Sequence, residues 1–124
     1  MSLNWDKYPN FTEQEFDCKH TGLNFMQPDF MQKLQSLRTE YGKPMKITSG
    51  YRDATHPQEI KKAAPGQHSQ GLAADIACTA TEAHQIVKLA MKHGFTGVGV
   101  SQRNGIPRFI HLDLRAGTPV LYGY

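Results

Sequence analysis

From residue 28 the apolar positions fall at Phe30, Leu34, Leu37 and Tyr41, steps of four, three and four that put them on one face of a helix. Pro28 suits the first turn, where an N–H is not needed, and Gly42 and Pro44 stop the pattern, so a helix is predicted over residues 28–41. A second stripe, Ala83, Ile86, Val87, Ala90 and Met91, follows the capping pair Thr79 and Glu82 and ends at Gly94. Thr12 and Glu15 repeat the capping spacing and predict a short helical turn carrying Phe16. Elsewhere the period shortens. Residues 45–48, 72–77, 95–100 and 109–114 read as strands, the second made of small residues, and the polar run from Ser101 to Pro107 reads as a hairpin loop. Residues 51–71 hold Pro57, Pro65, Gly66 and Gly71 and little apolar material; 57–64 could wind a turn or two of helix. A polar segment this long inside a compact domain is often functional. The order predicts an α+β fold, a small and mainly antiparallel sheet with helices packed on one face.

Alternation along the last strand assigns directions. Ile110, Leu112 and Leu114 face one way, toward the helices, and Phe109, His111 and Asp113 face the other. In residues 72–77, Leu72, Ala74 and Ile76 share a face and leave Asp75 opposite them. If both strands bury their aliphatic side, Asp75, His111 and Asp113 lie together on the open face of the sheet. His68 stands seven residues before Asp75, where Gly71 lets the chain turn close to the strand. His68, Asp75 and His111 can therefore converge. Two neutral imidazoles and a carboxylate would leave Zn²⁺ a fourth position for water, whose pKa it lowers to about 7. On spacing alone the grouping is unrestrictive: a surface His68 beside a structural Asp75 is the simpler account, and His111 stays open.

Composition narrows the class. Six Phe, five Tyr and one Trp in 124 residues are enough for one modest core and exclude a disordered chain. The chain reads as a single domain over residues 1–124, with 1–9 as an N-terminal extension whose first residues could be an expression remnant. Fourteen Lys and Arg against eleven Asp and Glu give a net charge of +3, diffuse rather than striped, which argues against nucleic acid as a partner. No apolar run is long enough for membrane insertion, and the N-terminus lacks the pattern of a secretory signal, so synthesis in the cytoplasm without a Sec signal is expected. Cys18 and Cys78 are expected as free thiols. Six histidines are the one surplus. His84 and His93 fall on the second helix, where a structural or exposed role suffices, and Cys18-Lys19-His20 is only half of a metal knuckle.

Three segments then match a known family in order: Thr48-Ser49-Gly50-Tyr51-Arg52, Gln67-His68-Ser69-Gln70-Gly71-Leu72-Ala73-Ala74-Asp75-Ile76 and Phe109-Ile110-His111-Leu112-Asp113. With Phe11-Thr12-Glu13-Gln14-Glu15-Phe16 they span roughly residues 10–115. The chain resembles the M15 family of zinc D,D-peptidases and endolysins, in particular its small single-domain, phage-type branch. The resemblance implies one Zn²⁺ per chain held by His68, Asp75 and His111, and places Arg52 at the active site. There a guanidinium could hold a substrate carboxylate or stabilise an oxyanion, or instead pair with Asp53 or Glu59 and organise the loop. Tyr51 and His56 are candidate groove residues beside it. The chain departs from the family where an acid three positions, or a His two positions, before the last zinc ligand would act as base: Arg108 and Phe109 stand there. Asp113, on the same face as His111, is the candidate general base, or else an acceptor that orients the imidazole. The implied function is zinc-dependent hydrolysis of a peptide bond in peptidoglycan, of carboxypeptidase or endopeptidase type, by a monomer that reaches the wall by release or on a phage particle. The alternative is a non-catalytic module of the same fold that binds wall peptide or a phage structural partner.

Overall fold

A computed structural model describes residues 3–57, 59 and 66–123. The first long helix, α1, runs Pro28–Tyr41 with Pro28 in its first turn and Gly42 beyond it at φ 73°, the left-handed conformation that glycine adopts without strain. The second, α2, runs Ala80–Lys92, with Thr79 and Glu82 closing a reciprocal capping box. Thr12 and Glu15 close another at the head of the 3₁₀ turn Glu13–Phe16. Both helix ends meet at Glu40, whose carboxylate takes Lys92 Nζ at 2.6 Å and His93 Nε2 at 2.9 Å. The expected turn over 57–64 falls almost wholly outside the described residues.

Five strands form one sheet: β1 (Lys46–Ser49), β2 (Ala73–Ala77), β3 (Gly97–Arg103), β4 (Ile106–Asp113) and β5 (Val120–Gly123), in the order β1-β2-β4-β3-β5. All pairings are antiparallel except β3 with β5. This is the expected α+β plan with one added strand. Ala74, Ile76, Val98, Ile110 and Leu112 form the aliphatic face and share one core with Phe30, Leu34 and Leu37 of α1 and Ala83, Ile86 and Ala90 of α2.

Three local expectations change. The hairpin between β3 and β4 is much tighter than a loop over 101–107: Asn104 and Gly105 both have positive φ, 54° and 77°, and the strands run up to them. That is the twist a two-residue Asn-Gly turn supplies. Met91, expected inward, is 50% exposed. At 3.6 residues per turn it lies about 80° round the helix from Ala83, at the margin of the buried stripe. Finally, β5 was not anticipated. Among the described residues no helix is long and apolar enough to cross a membrane, and both cysteines are free.

Candidate metal centre

One rung of the sheet carries the site. Ser49 of β1 pairs with Asp75 of β2, Asp75 with His111 of β4, His111 with Gly99 of β3, and Gly99 with Tyr122 of β5. Residues paired across strands point to the same face. Asp75 and His111 therefore stand side by side on the face away from the helices. His68 reaches them from the loop above. It opens the 3₁₀ turn His68–Gln70, which Gly71 ends at φ 73°. A Cβ on Gly71 would lie 2.0 Å from the Phe25 carbonyl oxygen, so the residue meets both a conformational and a steric requirement.

His68 Nε2 lies 3.3 Å and His111 Nδ1 3.0 Å from the same oxygen of Asp75, Oδ1. The three ligand atoms fall within 4.8 Å of one another. Each group is fixed from behind. His68 Nδ1 stands 2.7 Å from the Gly50 carbonyl oxygen, which can only accept, so the proton of a neutral His68 sits on Nδ1. His111 Nε2 stands 2.7 Å from Asp113 Oδ2 and donates to it. Arg52 Nη2 holds the second Asp75 oxygen at 3.4 Å. Two ring lone pairs and a carboxylate oxygen thus converge on one point, an arrangement that only a proton or a cation reconciles. Two imidazole nitrogens and one carboxylate oxygen, each oriented by a hydrogen bond on its far side, fit a divalent transition metal.

Asp113 is enclosed. It is 0% exposed, and five hydrogen bonds converge on its two oxygens: one from His111, one from the Arg115 backbone N–H and three from the Arg115 side chain. It fits because β3 has glycine opposite: a Cβ on Gly97 would lie 2.0 Å from Asp113 Oδ1. The site is also more covered than an open sheet face. Asp75 and His111 are each 4% exposed, and His111 joins Arg52, Gly66, Gln67, His68, Arg115 and Tyr122 in lining a depression of about 360 Å³. Arg52 pairs with Glu59 at 3.4 Å and donates to Ser49, and Glu59 accepts from Ser69. Asp53 instead accepts from Thr55. Tyr51 packs in the core against Phe25 with ring centroids 5.4 Å apart, and His56 lies against the His20 ring at 6.0 Å. The structure thus brings together Arg52, His68, Asp75, His111 and Asp113, and seats Tyr51 and His56 outside the lining of this depression.

Two lining residues had not been singled out from the sequence. Arg115 could have been, since the alternation 109, 111, 113 continues to 115. Tyr122 arrives on β5, and only the pairing of that strand with β3 brings it here.

Burial alone would raise the Asp75 carboxyl, but hydrogen bonds from His111 and His68 outweigh it and hold the group well below its ordinary 3.8. Asp113 is likewise held low, its burial outweighed by His111 and Arg115. Burial lowers His111, but Asp113 and Asp75 more than reverse this, and its pKa rises above 6.5. The depressed carboxyls stabilise the fold above pH 3.8, and that contribution is lost as pH falls through their lower folded values. The raised imidazole stabilises it fully below pH 6.5, and that contribution is lost as pH rises through its folded value. Chelator-treated protein should therefore melt highest between the two limits, with its midpoint declining on both sides. Divalent metal should flatten the alkaline decline, because a cation then serves where the His111 proton did. Melting curves across pH, with chelator and with zinc, check this; an alkaline limb indifferent to metal would contradict it.

The sequence profile of the family described as Peptidase M15 matches residues 9–113. Curated proteins yield no match to the chain.

Proposed function

The chain belongs to the Peptidase M15 family, and from that premise we propose that it is a zinc-dependent hydrolase of a peptide bond in peptidoglycan. The observation that carries this reading is the convergence of His68 Nε2, Asp75 Oδ1 and His111 Nδ1, with both imidazoles lining a depression that Arg52 and Arg115 also line. Zinc bound there supplies a Lewis acid that polarises a carbonyl and makes hydroxide available near neutral pH.

The chain's own side chains do the rest. The Gly50 carbonyl and Asp113 hold the two imidazoles in register, and Arg52 turns Asp75 so that one oxygen faces them. In this reading Asp113 orients His111 and keeps its outer nitrogen protonated, since its oxygens are already taken up by His111 and Arg115. Arg52, 16% exposed at its side chain, keeps a cationic edge toward the depression while tied to Glu59 and Asp75. It can draw in a substrate carboxylate, as a peptide with a free C-terminus offers. Gln67 adds a buried Oε1 that has no hydrogen-bond partner among the described residues. A peptide N–H laid along the depression would satisfy it.

Purified peptidoglycan incubated with zinc-loaded protein should release new amino groups. Chelator should stop the release, and added zinc should restore it. The second reading, a binding module of the same fold, draws on Arg108 and Phe109, which occupy the positions before His111 where the resembled family carries its base. Arg108 donates to Ser101 and lies over the Phe109 ring. Metal-loaded protein that sediments with peptidoglycan but releases no amino groups would favour that module.

A further inference from the structure

Five side chains form an unbroken series through the metal centre. Arg52 Nη2 reaches Asp75 Oδ2 at 3.4 Å, and Asp75 Oδ1 faces His111 Nδ1 at 3.0 Å. His111 Nε2 donates to Asp113 Oδ2 at 2.7 Å, and Arg115 Nη2 donates to the same oxygen at 2.6 Å. A guanidinium therefore stands at each end of the series. The two ends belong to different parts of the sheet. Arg52 follows β1, whereas Arg115 follows β4 and packs over the Tyr122 ring of β5, its guanidinium carbon 5.6 Å from the centroid. Arg115 also lies beyond the matched residues 9–113.

Both arginines line the depression, but the carboxylates that hold them do not. Asp75, Glu59 and Asp113 are all buried. Among the described lining residues two carry a permanent positive charge and none is acidic. Asp113 takes Arg115 through Nε and Nη2; Nη1 has no part in these bonds, and the side chain stays 31% exposed. A guanidinium fixed along one edge by a buried carboxylate has already lost the freedom that binding would cost it. Resting on the peptidase reading above, we infer that Arg115 is a specificity-determining residue, and that the substrates are peptides with a free carboxylate on each side of the scissile amide, one for Arg52 and one for Arg115. An amide whose carbonyl sits at the metal centre extends one arm toward each guanidinium, and a carboxylate on either arm meets a planar donor suited to it.

The products released from peptidoglycan identify the bond cut. Stem-peptide fragments spanning that bond, with both flanking carboxylates free or with one of them amidated, are the probes. Zinc-loaded wild type should cleave the dicarboxylate with a KM at least ~10-fold below that of either monoamide, as for loss of a hydrogen bond to a charged group. Arg115→Gln should erase the difference on one flank and keep it on the other. Calorimetry on chelator-treated protein should rank the three peptides in the same order, because protein carboxylates hold the two guanidiniums. It also reads Arg115→Gln where that variant holds zinc weakly. Wild type that holds zinc but cleaves no peptidoglycan overturns the peptidase reading and this specificity with it. Wild type that cuts a bond lacking a carboxylate on one side, or that cleaves and binds the three peptides alike, overturns the specificity alone. Arg115→Gln that weakens all three peptides by a common factor, or that keeps both preferences, shows an arginine that serves only to hold Asp113 and overturns its role.

Discussion

Asp75→Ala is expected to leave the protein unable to retain zinc through dialysis and inactive on peptidoglycan. Asp75 is the shared point of the centre: both imidazole nitrogens face its Oδ1, and it brings the only negative charge among the three candidate ligands. Without it the rings could still reach a cation, but with two neutral donors beside the Arg52 guanidinium that Asp75 had paired. Substituting a group that merely orients a ligand costs about 10–100-fold in metal affinity. Removing the carboxylate itself should cost more than that, and Asp113→Ala should fall within the range. Metal analysis after dialysis, with competition against a chelating dye to rank the two variants, provides the comparison. Stoichiometric zinc bound with wild-type affinity by Asp75→Ala would remove the basis of the site assignment.

The second large effect is expected where no functional group is changed. Gly97→Ala puts a methyl group 2.0 Å from Asp113 Oδ1 and 2.3 Å from its Cγ and Oδ2. A flexible exposed side chain would swing aside. Asp113 is fully buried and held by His111 and by both the backbone and the side chain of Arg115, so it has no alternative position that keeps these bonds. Overpacking costs about 1–3 kcal/mol, and breaking a buried ionic pair about 3–5 kcal/mol. The variant should lose at least ~3 kcal/mol, roughly 10 °C or more in melting temperature for a domain of this size. It should also bind zinc more weakly, because His111 loses its anchor. Gly123→Ala is the matched control: its nearest new neighbour is the Val100 carbonyl oxygen at 4.0 Å, ordinary contact, and the change should stay within about 0.5 kcal/mol. Equal melting temperatures for the two variants would show that β3 tolerates a side chain beside Asp113.

What could be read in the chain beforehand follows from how local each signal is. α1 was legible to its ends because Pro28, the 30-34-37-41 stripe and Gly42 are all contained within it. The direction of His111 and Asp113 was legible because alternation belongs to a single strand. Asn104-Gly105 carried its own turn signal, but the polar residues around it disguised strand ends as loop. β5 could not be read this way. Val120 and Leu121 are exposed apolar residues with no clear alternation, and their strand exists through its pairing with β3. Tyr122 was hidden with it. The glycines of β3 were visible as letters, yet their purpose lies in what stands opposite: a carboxylate from β4 and a ring from β5. Arg52 shows the same limit. Of the partners weighed for it, the structure shows Glu59, and it adds Asp75, which lies 23 residues further along the chain and which no local pattern joins to Arg52.

The strand order has a consequence for timing. β4 is made after β1, β2 and β3, yet it is inserted between β2 and β3 and brings His111 with it. While the chain is being synthesised, His68 and Asp75 emerge early but have no third ligand. The strand that completes the set can dock only when its neighbours are already present to receive it on both sides. Capture of a metal ion by these three residues would thereby be tied to closure of the sheet. An unfinished or partly unfolded chain has no assembled centre, so a hydrolytic activity comes into being only with the finished fold.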